Sequence, residues 1–149
     1  FNIYFPRLNN VVPIKRKVSE SKNKDMGKEN ILIVEEDEFV RSIMYRILDN
    51  KGYNIVEARN GGEAILLCEK RENQFELIIT DLFLPIISGV ELVLRIEREF
   101  PKIKSLFTST HTFESIKDES LLSGIKNFIQ KPFDPDDFSL LVRKSLDSN

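Results

Sequence analysis

A short apolar and β-branched run that stops on a single acid, Phe75-Glu76-Leu77-Ile78-Ile79-Thr80-Asp81, most constrains what this chain can become. Its length and character suit a strand buried on both faces. Pro85 and the Ser88-Gly89 pair then break the chain before a helical pattern starts at Val90. Open α/β sheets place their chemistry outside the carboxyl ends of their parallel strands, and Asp81 stands at such an end. Taken alone, Asp81 reads equally well as a loop cap. The rest of the chain decides.

A strand followed by a helix recurs five times from Lys28 onward. Ile31 to Val34 is a buried strand that runs into four acids, Glu35-Glu36-Asp37-Glu38. Phe39, Val40, Ile43, Met44, Ile47 and Leu48 then mark one helix face, and Lys51-Gly52 closes it. Tyr53 to Val56 predicts the second strand, and a helix follows Asn60-Gly61-Gly62 over about Glu63 to Arg71. The third strand ends at Asp81, with its helix from about Gly89 to Glu99. Ile103 to Thr108 predicts the fourth strand and Thr112 to Ser123 a polar helix with a thin apolar face. Ile125 to Gln130 reads as the fifth strand. Asp134 and Pro135 read as the N-cap and first residue of a last helix reaching Leu146. Right-handed crossovers turn this alternation into an α/β, doubly wound, five-stranded parallel sheet of flavodoxin-like type, (βα)5, with strand order 2-1-3-4-5. That order makes the first and third strands neighbours, so Glu35 and Glu36 meet Asp81.

The 149 residues suit one domain, and 41% hydrophobic with 31% charged residues is ordinary for a water-soluble fold. Residues 1–28 hold seven Lys/Arg and two Asp/Glu, whereas 29–149 hold 15 and 22. The first 28 are read as a flexible basic extension, with Val11-Val12-Pro13-Ile14 making at most a brief extended contact. Met26 is a candidate biological start, with the residues before it then upstream sequence or part of a longer protein. Residues 29–149, at −7, form the folded domain, too acidic to bind nucleic acid directly. The lone cysteine, Cys68, sits in an apolar run and reads as packing. No apolar run approaches the roughly 18 residues that cross a bilayer, so a cytoplasmic protein without membrane contact is expected.

Crowded carboxylates repel, at about 4 kcal/mol per pair for 4 Å and an effective dielectric near 20. They persist together by protonation or by holding a cation. Oxygen-only ligands favour Mg²⁺, which meets phosphoryl groups. The fifth strand delivers Lys131 to the same sheet end, and the fourth delivers Thr108-Ser109-Thr110. Carboxylates, one lysine and a hydroxyl are the groups phosphoryl transfer uses. The plainer reading, a structural ion pair between Lys131 and Asp81, explains one contact but not the convergence of all the strand tips.

Four pieces, in order and spacing, resemble the receiver domain of bacterial two-component response regulators, of the chemotaxis-regulator type, over residues 29–148. They are Ile31-Leu32-Ile33-Val34-Glu35-Glu36, then Asp81-Leu82-Phe83-Leu84-Pro85-Ile86-Ile87-Ser88-Gly89, then Phe107-Thr108-Ser109, then Phe128-Ile129-Gln130-Lys131-Pro132-Phe133. The resemblance implies that Asp81 is phosphorylated from a phosphohistidine on a sensor histidine kinase or phosphotransfer protein, within a phosphorelay. It implies Mg²⁺ on Glu35, Glu36, Asp81 and the backbone carbonyl of Phe83, a charge-neutralising Lys131, and a cis Lys131-Pro132 bond. The responding hydroxyl is Thr108 or Ser109, and family spacing selects Ser109, 28 residues after Asp81 and 22 before Lys131. A slipped register would make Glu36-Asp37 the metal pair, but Arg41, five past Glu36, favours Glu35-Glu36.

By the same resemblance Phe128 is the switch aromatic, and Phe83 and His111 tune how long the phosphoryl group survives. The output surface is the fourth helix, fifth strand and fifth helix, contacting a downstream protein target, and a homodimer formed on phosphorylation is compatible with it. Catalysis is limited to the chain's own phosphotransfer and slow dephosphorylation. With the chain ending soon after Leu146, a stand-alone receiver or one cut from a hybrid kinase or larger regulator is expected. Glu36 stands where the family carries aspartate, and Phe83 where a polar residue is common. These departures keep open a degenerate receiver acting as a phosphorylation-independent interaction module. A phosphatase of the haloacid dehalogenase type needs a second aspartate where Phe83 stands. No P-loop or Gly-x-Gly-x-x-Gly turn follows any strand.

Overall fold

The computed structural model describes residues 26–71 and 74–149. All but the last three residues of the expected basic extension lie outside the described residues, as does the Val11–Ile14 contact. Five strands form one parallel sheet: β1 (Asn30–Val34), β2 (Asn54–Ala58), β3 (Leu77–Asp81), β4 (Lys104–Ser109) and β5 (Phe128–Gln130), in the order β2-β1-β3-β4-β5. The helices are α1 (Glu38–Asp49), α2 (Gly61–Arg71), α3 (Gly89–Glu99), α4 (Glu119–Leu122) and α5 (Pro135–Asp147). This is the flavodoxin-like arrangement that the sequence predicts.

Strand alternation divides the core into two layers. Ile31, Ile33, Leu77, Ile79 and Leu106 face α1 and α5, where they meet Met44, Leu48, Phe138 and Val142. Leu32, Val34, Ile78 and Phe107 face the other way, onto Ala64 and Cys68 of α2 and Val90, Val93 and Ile96 of α3. Cys68 is a packing residue, and burial pushes its thiol up to about 11. Asp134 caps α5 by accepting from the Asp136 and Asp137 N–H groups, with Pro135 in the first turn, as expected.

The long polar helix over Thr112–Ser123 does not form. A 3₁₀ turn at Phe113–Ser115 and the single turn of α4 replace it. Thr112 Oγ1 accepts from the Ser115 N–H, and Asp118 Oδ1 accepts from the Ser120 N–H, so each side chain starts a turn of its own. Short polar side chains compete with the helix for backbone partners, and only Ile116 in this segment is buried. Smaller differences lie at element ends. β2 starts at Asn54 rather than Tyr53, α2 at Gly61, and β5 at Phe128 rather than Ile125.

At the amino end of the sheet, Arg143 of α5 ties the chain's entry to its last helix. Its Nη2 lies 2.6 Å from Glu29 Oε2 and 2.8 Å from Asp147 Oδ1. Its Nη1 donates to the Tyr53 hydroxyl at 3.3 Å. The Arg143 hydrogen bond outweighs the opposing effect of burial and holds Glu29 down at about 2. A carboxyl lowered on folding contributes stability above its unfolded value of 4.5 and loses it as pH falls toward about 2. Glu29→Gln is therefore expected to cost about 1 kcal/mol at neutral pH. Urea unfolding should show the variant and the parent converging as the pH is lowered toward about 2.

Candidate functional site

Asp81 ends β3, Glu35 follows the last residue of β1, and Lys131 follows β5. The Lys131 ammonium donates to Asp81 Oδ2 at 2.6 Å and to Glu35 Oε2 at 2.9 Å. Glu35 is buried, and the Lys131 and Asp81 side chains are 10% and 16% exposed, so the cluster is largely shielded from water. Burial pushes the Glu35 carboxyl above its ordinary range, against the pull of Lys131. Burial disfavours the Lys131 ammonium too, but its hydrogen bonds to Asp81 and Glu35 prevail and raise it. The repulsion expected among the acids is thus relieved by an internal cation.

The neighbouring acids divide by position. Asp37 caps α1, its Oδ1 accepting from the Phe39 and Val40 N–H groups, so it is committed to the helix start. Glu36 is exposed at the rim beside the β2–α2 loop and is not drawn into the ion-pair cluster. Arg41, buried, fastens the turn below them by donating to the Glu35 carbonyl at 2.8 Å and to Glu57 Oε1 at 3.1 Å. Among the described residues no three His, Cys, Asp or Glu side chains are gathered closely enough to form a metal cage. The available donors are nonetheless all oxygen, and two of their carboxylates already hold a hard cationic group, the ammonium. That chemistry fits a small divalent cation.

Ser109 and Thr108 point to opposite faces of β4. Ser109 is buried, and its Oγ accepts from the His111 N–H at 3.0 Å. Thr108 is the register partner of Asp81, and its buried Oγ1 has no hydrogen-bond partner among the described residues. The Phe83 N–H donates to Asp81 Oδ1 at 2.9 Å, and the Phe83 ring lies 4.9 Å from that of His111. Phe128, half-buried, meets the exposed Phe113 edge-on at 5.5 Å. The Lys131-Pro132 bond is cis, and Phe133 beyond it stacks on Phe138 of α5 at 4.5 Å.

Gly89 lets α3 begin against the end of β3. A Cβ there would lie 2.2 Å from the Asp81 carbonyl oxygen, and the Gly89 N–H donates to the Leu82 carbonyl. Between them Ile86 is fully exposed and adopts φ 73, in a tight turn closed by the Ile87 N–H on the Pro85 carbonyl. A β-branched residue seldom takes this left-handed conformation, and nothing in the local sequence signals it.

The pattern of the response regulator receiver domain matches residues 31–143. The chain belongs to that family. Sensor kinase CckA of Brucella abortus is 26% identical to it, over 99% of this chain and 16% of the kinase. A probable transcriptional regulator of Porphyra purpurea, ycf29, is 31% identical over 80% of this chain and 59% of that protein. The chain thus spans less than two thirds of these curated relatives. A solved complex titled CheX-CheY-BeF3-Mg from Borrelia burgdorferi contains the same fold, with TM-score 0.72, 23% identity, and coverage of 83% of this chain and 97% of that one.

The receiver's ion-pair cluster has a measurable electrostatic consequence. Because burial raises Glu35 on folding, its ionised form weakens the metal-free protein as pH rises through and above 4.5. Glu35→Gln is expected to raise the thermal midpoint of metal-free protein at neutral pH, with the gain vanishing below the ordinary carboxylate range.

Proposed function

We propose that this receiver is a phosphorylation switch whose Asp81 accepts a phosphoryl group from the phosphohistidine of a sensor kinase or phosphotransfer protein. The observation that carries this reading is the Lys131 ammonium shared by Asp81 and Glu35 at the strand ends. An Asp81 carboxylate oxygen forms the new bond to phosphorus as the bond to the histidine nitrogen breaks, and the electron pair leaves with the imidazole. Lys131, already 2.6 Å from Asp81, neutralises a phosphoryl oxygen. Mg²⁺ held by Glu35, Glu36, Asp81 and the Phe83 carbonyl would add further charge neutralisation.

The added charge and acceptor oxygens at Asp81 give the Ser109 O–H a strong acceptor, which draws the side chain away from the His111 N–H that its Oγ accepts at rest. Phe128 then exchanges its contact with Phe113 for the space that Ser109 vacates. α4 has no buried residues, so little packing resists its movement. The face formed by α4, β5 and α5 is the proposed contact for a downstream protein. Among the described residues no helix is long and apolar enough to cross a membrane, and a cytoplasmic site of action is part of this proposal.

Acetyl phosphate with Mg²⁺ is expected to add one phosphoryl mass, mapped to Asp81 and absent from Asp81→Asn and Lys131→Ala. A chain that stays unmodified under these conditions favours the alternative, an interaction module independent of phosphorylation. Phe83, two residues past Asp81 and packed on His111, is the proposed shield of the phosphoryl group against water. Phe83→Asn is expected to shorten the phosphoryl lifetime several-fold, read as the decay of phosphorylated protein after the donor is removed; equal lifetimes would remove the shielding role.

A further inference from the structure

Thr108 carries a hydroxyl where the fold gives it nothing to do at rest. The residue is fully buried, and its Oγ1 is the one buried side-chain polar atom without a hydrogen-bond partner among the described residues. Such a group is destabilising, and valine would fill the same space without it. Leu106 and Ile129 both face the α1–α5 layer, whereas Phe107 and Phe128 face the other, so strand alternation puts Thr108 on the α1–α5 side. Leu77 and Ile79 point the same way, which puts Asp81 on that side too. Thr108 is in register with Asp81 on β3 and with Ile129 on β5.

Lys131 follows β5 by one residue, yet its ammonium reaches Asp81 on β3 and Glu35 beyond β1. Its side chain must therefore cross the end of β4, and Thr108 is the buried β4 residue in register with Asp81 on that face. Two of the three ammonium hydrogens go to Asp81 and Glu35. Phosphoryl oxygens on Asp81 attract the ammonium more strongly than the buried Glu35 does. A hydrogen released from Glu35 in this shielded site needs an acceptor.

We infer that Thr108 is a positioning residue for Lys131 in the phosphorylated state, its buried hydroxyl accepting the ammonium N–H that Glu35 releases. This rests on the phosphoryl-acceptor reading of Asp81. The hydroxyl is unpaired at rest because its partner arrives only with the phosphoryl group. It is a role separate from that of Ser109, whose side chain lies on the opposite face of the sheet.

The test titrates beryllofluoride with Mg²⁺ into the full chain and compares Thr108→Val with Thr108→Ser. Metal-free Thr108→Val is expected to be at least as stable as the parent, yet to bind beryllofluoride about tenfold more weakly, as for the loss of one hydrogen bond to a charged group. Thr108→Ser should restore the affinity. Equal binding by Thr108→Val and the parent overturns the inference alone, as does serine failing to rescue, since the defect would then be one of packing. A Thr108→Val protein markedly less stable than the parent also overturns it, because the hydroxyl would already be paired at rest. A parent chain that takes up no beryllofluoride overturns both this inference and the reading of Asp81.

Discussion

One ammonium group holds the ends of three strands together. Lys131 reaches Asp81 across 50 positions of sequence and Glu35 across 96, and no local preference could bring them into contact. The contact exists because the strand order puts β1, β3, β4 and β5 side by side and the register steps their carboxyl ends by no more than one residue from strand to strand. A two-residue slip of β5 would carry the cation past both acids and leave two carboxylates facing each other in a shielded site. The ion pair is thus less a source of stability than a condition on the whole sheet being correctly assembled.

Most of what surrounds the cluster keeps its parts from drifting. Arg41 pins the turn that presents Glu35, Asp37 fixes where α1 begins, and Gly89 lets α3 start directly against the carbonyl of Asp81. The stacking of Phe133 on Phe138 anchors the loop after Lys131 to α5. The supports come from α1 for Glu35, α3 for Asp81 and α5 for Lys131, so each charged group is held by a different helix. Rigidity of this kind suits the proposed switch, in which the site would present a charge difference between two states.

The strands and their order were legible because each buried run is almost wholly apolar and is separated from the next by a helical pattern or a turn signal. Asp134-Pro135 and the packing role of Cys68 were legible for equally local reasons. Thr112 to Ser123 was not, because its hydroxyl and carboxyl side chains hold backbone groups that a helix would have used. The acidic pair was legible as a site but not in detail. Adjacent residues leaving a strand point to opposite sides, so Glu35 turns inward and Glu36 stays at the rim. The left-handed turn at Ile86 could not be anticipated, since isoleucine is among the residues least suited to it.

Thr108 and Ser109 are joined by one peptide bond, yet they look into different halves of the molecule. The sheet acts as a partition, with Lys131, Glu35 and Asp81 on the α1–α5 side and Phe107, Phe128 and the α2–α3 packing on the other. In the proposed switch, charge rearrangement on one side and aromatic movement on the other would share a single physical route, the tip of β4. Such a message would not travel far. It would pass through the thickness of one strand, and a stiff β4 is what would keep the two compartments in step.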